Sequence, residues 1–163
     1  MDSAAGITLH DLAIGDAGWI IARHAELYAA DEGFDATFEA LVAEVMAAYI
    51  RNHDPTRERA FIAWKGGRRL GSIICVRQSD DVAKLRLFLL EPAARGLGLG
   101  RALLRANMDF ARAARYSRMV LWTHESHRAA CALYARAGFS LAESHPVRSF
   151  GVDLVEQTWA IDL

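Results

Sequence analysis

The amino-acid sequence predicts a mixed α/β (α+β) fold in which a mostly antiparallel central sheet is flanked by helices, within one domain spanning 1–163. Three observations predict it. Apolar runs joined by turn residues between Ala60 and Leu90 indicate hairpin-linked strands. Further along, strand-like and helix-like runs alternate, which implies crossings that pack helices on the sheet. With 163 residues, 53% of them hydrophobic and spread throughout, the chain can bury one core, and no repeat or Pro/Ser-rich linker divides it.

The elements follow in order. Ile7 to Ile14 alternates loosely between apolar and polar residues and predicts a first strand. Asp16 stands where it can cap a helix with Trp19, Ile20, Leu27 and Tyr28 on its apolar face, interrupted at Gly33. Phe38, Leu41, Val42, Val45, Met46, Tyr49 and Ile50 recur at helical steps and predict a second helix ending before Pro55. Ala60–Trp64 and Leu70–Val76 flank Lys65-Gly66-Gly67-Arg68, which has the chemistry of a hairpin turn, and Val82–Leu90 predicts the next strand. Leu99, Leu103, Ala106, Phe110 and Ala113 mark a helix, and Met119–Thr123 a strand. Ala130, Leu133, Tyr134 and Ala137 face one side of a short helix that Gly138 ends. Phe139–Ala142 and Leu154–Ile161 predict closing strands, and the tryptophans read as core residues.

Composition removes several classes of partner. The net charge of −1 comes from interspersed acids and bases, with no polybasic arm to neutralise a nucleic-acid backbone, so no nucleic acid is expected. Cys75 and Cys131 sit in apolar runs and form no metal-binding or disulfide pattern; both are expected to be reduced, and no metal is expected. Met1 to Gly6 lacks a basic segment leading into an apolar stretch, and no run approaches the roughly 20 apolar residues of a membrane span. A cytoplasmic protein without membrane partners is the expectation.

The most informative segment is the strand Leu85–Leu90 followed by Glu91-Pro92-Ala93-Ala94-Arg95-Gly96-Leu97-Gly98-Leu99-Gly100-Arg101 and a helix. Alternating glycines let backbone N–H groups approach a ligand, and the first turn of a helix favours an anion, so phosphate is the natural occupant. Arg95 and Arg101 add positive charge. The dinucleotide fingerprint fails, because Arg101 or Leu103 stands where its third glycine belongs, and a P-loop lacks its Gly-Lys-Ser/Thr ending.

Arg95-Gly96-Leu97-Gly98-Leu99-Gly100 resembles the Arg/Gln-x-x-Gly-x-Gly/Ala pyrophosphate loop of the GNAT superfamily of acetyl-CoA-dependent N-acetyltransferases. Ala130-Cys131-Ala132-Leu133-Tyr134-Ala135-Arg136-Ala137-Gly138-Phe139 resembles its second signature, Ala-x-x-Leu-Tyr-x-x-x-Gly-Phe. Further stretches, among them Gly15–Trp19, Arg23-His24, Leu121–Thr123 and Ser149-Phe150-Gly151, are similar to the acetyltransferase half of MarR–GNAT fusion proteins. The DNA-binding half has no counterpart, so a free-standing homologue or an excised domain is expected. Two departures stand out: His127 replaces the usual asparagine three residues before Ala130, and Val147-Arg148 replaces His-His before Ser149.

The resemblance implies the GNAT fold and acetyl-CoA as co-substrate, bound by the main chain of Phe88, Leu89 and Leu90, by Arg95, Gly96, Leu97, Gly98, Leu99, Gly100 and Arg101, and by His127 and Ala130. It implies Tyr134 as the acid that protonates the leaving thiolate, with a helix-face aromatic as the structural alternative. The acceptor amine, a small molecule or a peptide, would be met by His24, Tyr28 and Glu32. His24, His124, His127 and His145 can all serve as base by their chemistry, with His24 favoured by its place in the resemblance, and Glu26 and Asp31 are further acidic candidates. A non-catalytic acyl-CoA sensor is the alternative from another class. The sequence fixes no oligomeric state and allows a homodimer.

Overall fold

The computed structural model describes residues 6–163. Most of the segment read for a targeting signal, and the first five residues of the 1–163 domain, lie outside the described residues. In chain order the elements are β1 (Thr8–His10), α1 (Asp16–Glu32), α2 (Ala36–Arg51), β2 (Arg59–Lys65), β3 (Arg68–Arg77), β4 (Val82–Leu90), a short 3-10 turn (Pro92–Ala94), α3 (Leu99–Ala113), β5 (Arg118–His124), α4 (Arg128–Ala137), β6 (Ser140–Ser149) and β7 (Val152–Asp162). These seven strands, mostly antiparallel and flanked by helices, make the mixed α/β fold predicted from the sequence.

The chain forms two compact units. Among the described residues the first holds 6–13, Pro55–Met119 and Asp162–Leu163; the second holds Ile14–Asp54 and Val120–Ile161. In the first, β1 to β4 lie side by side in sequence order, all antiparallel. Gly66 and Gly67 turn the β2–β3 hairpin with φ of +57° and +74°, a pair of left-handed residues that matches the twist of the flanking strands. Helix α3 packs on β2, β3 and β4 and buries Leu99, Leu103, Leu104, Met108 and Ala111. In the second, the strand order is β5-β7-β6, and α1 packs against α2. Gly33 ends α1 at φ +74° and Gly138 ends α4 at φ +102°, both as expected of left-handed helix stops.

Four expectations need correction. The first strand stops at His10, because the Asp11 carboxylate accepts from Leu12 N (2.7 Å) and from Ala60 N (3.4 Å) and so takes over the ladder; Ile14 is fully exposed. Asp16 is not the cap of α1. Gly15, left-handed at φ +92°, starts the helix, which leaves Asp16 buried in the first turn. On α3 the buried stripe runs through Asn107, a polar residue that the apolar pattern skipped, while Ala113 faces solvent. Finally, β6 continues to Ser149 although its residues are largely exposed, because β7 pairs with it along its length. The four tryptophans are only half-buried. Two of them keep their indole N–H on polar partners: Trp122 on Glu156 at 3.1 Å and Trp159 on Gln157 at 3.0 Å.

Candidate active site

In the first unit, β4 carries Phe88, Leu89 and Leu90 at its end, with Leu89 buried and its neighbours half-buried. The chain then turns through Pro92–Ala94 into the glycine loop. Gly96 and Gly98 have φ of +78° and +79°, so each needs glycine, and no atom outside the adjoining residues lies within 4 Å of where a Cβ would stand on either. Gly98 is the N-cap of α3 and no side chain caps that helix. The amides of Leu99, Gly100 and Arg101 begin a helix whose first carbonyl acceptor is Gly98, taken by Ala102 N at 3.1 Å. Unhindered glycine backbone, an uncapped helix start and the exposed guanidinium groups of Arg95 and Arg101 fit a diphosphate. Leu99 and Gly100 are buried and anchor the loop to the core.

The second unit gathers a cluster of imidazoles and aromatic rings. His24 and Tyr28, one turn apart on α1, stack in parallel at 6.1 Å, and Phe38 tilts against both. Phe34 contacts Tyr28, His124 and Phe150 at 5.5, 5.3 and 4.9 Å between ring centroids. His127, at the start of α4, lies 5.4 Å from His124 in a stack and is hydrogen-bonded to the Tyr28 hydroxyl at 3.3 Å. Glu32 joins this group: Oε2 accepts from Ser126 Oγ at 2.9 Å, and Oε1 lies 3.5 Å from His124 Nε2. Of the residues suggested for the acceptor, His24, Tyr28 and Glu32 are therefore together, and His127 belongs with them. Ala130 is buried one turn along α4.

The local environments set the protonation states. Burial pushes the His24 imidazole down to about 4, and its Nδ1–H donates to Ile20 O at 2.7 Å, which spends one ring nitrogen on the backbone. Burial also lowers His124, against the opposing pull of Glu32, so the ring is neutral at neutral pH. Tyr134 is buried, and desolvation raises its hydroxyl well above the usual phenol range, with Tyr28 and Cys131 adding to the shift. It therefore keeps its proton until a strong base forms nearby. Neither thiol is activated: Cys75 is pushed up to about 12, mainly by burial, and Cys131 is raised for the same reason. His145 is tied to Glu156 and Glu26 to Arg23.

Sequence reasoning missed Phe34, Phe38 and Phe150 as the walls of this cluster. Phe150 takes φ +57° and Gly151 φ +80°, so the turn joining β6 to β7 is a pair of left-handed residues. Asp35 N donates to Phe150 O at 2.9 Å, fixing that turn beside the start of α2. The Ser-Phe-Gly triplet was the available signal, but its meaning depends on a contact with a residue far away in sequence.

The uncapped glycine turn of the first unit suits a diphosphate, and the second unit by itself holds a buried phenol and a histidine–carboxylate pair, within a mixed α/β architecture. The chain belongs to the acetyltransferase (GNAT) family, whose model matches residues 20–139. A mycothiol acetyltransferase from Geodermatophilus obscurus is 36% identical over 86 residues, which covers 49% of this chain and 28% of that protein. The chain thus matches less than a third of that curated relative's length. An acetyltransferase from Streptococcus agalactiae has a similar fold, with a TM-score of 0.74 at 21% identity over 98% of this chain and 99% of that one. So does a GNAT family acetyltransferase from Elizabethkingia anophelis solved with acetyl-CoA bound, with a TM-score of 0.69 at 15% identity over 98% and 99%. No helix among the described residues is long and apolar enough to cross a membrane.

Proposed function

We propose that the protein is a single-domain N-acetyltransferase that moves the acetyl group of acetyl-CoA directly onto an amine. The observation that carries this reading is the left-handed, uncapped glycine turn that opens α3. The main chain of Gly96 to Arg101 and the charges of Arg95 and Arg101 hold the diphosphate, and the end of β4 from Phe88 to Leu90 holds the pantetheine arm. His127 and Ala130, at the start of α4, complete the cofactor contacts.

The chain's residues then divide the proton work. His124, neutral through burial and backed by Glu32, takes a proton from the acceptor amine; this role moves from His24, whose ring is more deeply desolvated and bonded to Ile20 O. The amine nitrogen forms a bond to the thioester carbonyl carbon, and a backbone N–H at the end of β4 stabilises the oxyanion. As the carbon–sulfur bond breaks, the Tyr134 hydroxyl gives its proton to the thiolate, and solvent carries the proton from His124 back to the phenolate. Products are the acetamide and CoA. Holding two reactants together supplies much of the acceleration, and the unactivated thiols support direct transfer over an acyl-enzyme.

His24, Tyr28 and Glu32 form the acceptor side, where one carboxylate among aromatic rings suits a cationic amine with an apolar body, small or peptidic. The net charge supports a protein without a nucleic-acid partner, and a homodimer is compatible with this reading. Similarity to the acetyltransferase half of MarR–GNAT fusions, in the Ser149-Phe150-Gly151 turn among other places, points toward that branch of the family. The test is CoA and acetyl-CoA calorimetry followed by thiol release with an amine library. Binding without amine-dependent release would favour the acyl-CoA sensor instead.

A further inference from the structure

Residues of β4 alternate between the two faces of the strand. Ala83 and Leu85 are buried, whereas Lys84 and Arg86 are half-buried and point to the opposite face. Their partners across the β3 ladder are Val76 and Ile74, both apolar and Ile74 completely buried. Beyond Arg86 the register shifts: Ile74 pairs with Arg86 and Ser72 with Leu89, so β4 bulges by one extra residue at Leu87–Phe88. Two cations thus share one face of β4, beside apolar neighbours and just ahead of the bulge.

Their side chains differ from the other half-buried bases of this unit. Among the described residues, Arg57, Arg59 and Arg69 each lie over an aromatic ring: Tyr116 at 4.0 Å, Phe61 at 5.2 Å and Trp64 at 4.6 Å. Lys84 and Arg86 have no ring, carboxylate or hydrogen-bond acceptor among those residues. Burial lowers the pKa of both, and the Arg86 charge lowers that of Lys84 further. A half-buried pair of like charges is unfavourable by itself, and an anion held against it reverses the sign of the interaction.

We infer that Lys84 and Arg86 form an anion subsite that holds the acidic group of the acceptor, so that the acceptor is an amine bearing a carboxylate. This rests on the proposed function for the ligand's being the acceptor, but the unpaired cations are a feature of β4 alone. The planar guanidinium fork matches a carboxylate through two parallel hydrogen bonds, and the lysine adds a point charge. Arg86 stands two residues, about 7 Å along a strand, ahead of Phe88, where the segment proposed for the pantetheine arm begins. The diphosphate of CoA is assigned to the loop from Gly96 onward, so this subsite calls for a second anion.

The test uses the whole protein with matched sets of acceptors: aliphatic amino acids, their methyl esters and the corresponding aminoalkyl phosphonates. Thiol release should give a kcat/KM about 10- to 100-fold higher for the acid than for its ester, carried mainly by KM. In Arg86→Met the acid and ester should come within about three-fold of each other, with CoA affinity within about two-fold of wild type. That substitution also relieves Lys84 of a like charge, so Tm should hold or rise; should it fail to fold, Lys84→Met reads the same preference. Equal use of acid and ester by the wild type would overturn the subsite, and so would a preference that survives both substitutions. Loss of CoA affinity in these variants would make the occupant a phosphate of CoA and overturn it too, while an Arg86-dependent preference for phosphonate would overturn the carboxylate assignment. Wild-type protein that turns over no amine would defeat the proposed function instead. Calorimetry of the CoA complex would then decide the subsite alone: binding of acid over ester, lost in Arg86→Met, supports it, and equal binding overturns it.

Discussion

Replacing Gly98 with alanine separates ligand grip from folding, and the structure gives both magnitudes. Gly98 stands at φ +79°, where an L-side chain costs about 1–2 kcal/mol, and the added methyl meets nothing within 4 Å, so no packing penalty is added. For a chain of this size each kcal/mol lowers Tm by about 2–4 °C, which predicts a fall of about 2–8 °C with the protein still folded. With the diphosphate held as proposed, the methyl would stand on the open side of the turn that it approaches, so CoA affinity should fall at least about ten-fold, or about 1.4 kcal/mol. Gly66→Ala is the matched control: φ +57°, nothing within 4 Å, but in the β2–β3 turn. It should show a similar Tm loss and wild-type CoA affinity. Calorimetry and thermal melts on the same preparations read both. Wild-type affinity in Gly98→Ala, or equal affinity losses in the two variants, would refute the assignment of the loop.

Three further outcomes follow from named contacts. Tyr134→Phe keeps the buried ring and removes only the hydroxyl, so kcat should fall about 10- to 100-fold with little change in acetyl-CoA affinity; lowered Tm with normal kcat would make Tyr134 a core residue only. His24 is pushed down to about 4 from 6.5, so the unfolded chain binds a proton that the native state refuses across that window. Stability from this site is intact above about pH 6.5 and falls as pH drops toward 4, by about 3 kcal/mol in all; His24→Gln should flatten that part of the Tm profile, and an unchanged slope would refute the assignment. Gly151→Ala combines φ +80° with a Cβ 2.7 Å from Asp35 Oδ2, the carboxylate group that caps α2 by accepting from Thr37 N. Strain plus a disturbed cap should cost about 2–3 kcal/mol, more than Gly66→Ala; equal melts would show that the Asp35 contact carries no weight.

The elements of the first unit were legible because their signals are local. Gly66-Gly67 specifies its own turn, and Gly96 and Gly98 advertise a left-handed path next to a helix start. The acceptor cluster was legible only in part, since no spacing rule relates Glu32 to His124, or Asp35 to Phe150. Among four eligible histidines, burial and a carboxylate neighbour distinguish His124, and both are tertiary facts. The bulge at Leu87 was invisible for a related reason. Val82 to Leu90 reads as one uninterrupted strand, and the added residue shows only against the register of β3. Asn107 went unread on α3 because a polar side chain was taken to mark the solvent face, whereas this one is fully buried.

Amine-dependent turnover is the most direct measurement of the central claim. Purified protein, acetyl-CoA and a panel of cationic amines with aliphatic or aromatic bodies, including peptide amino termini, would be followed by free-thiol release and by mass spectrometry of the acceptor. Transfer predicts that at least one class of amine gains a single acetyl group, in a one-to-one ratio with the thiol released, and that His124→Gln removes the alkaline rise of the rate while CoA still binds. Tight CoA binding with no acetylated amine across the panel, or thiol release without an acetylated product, would contradict it.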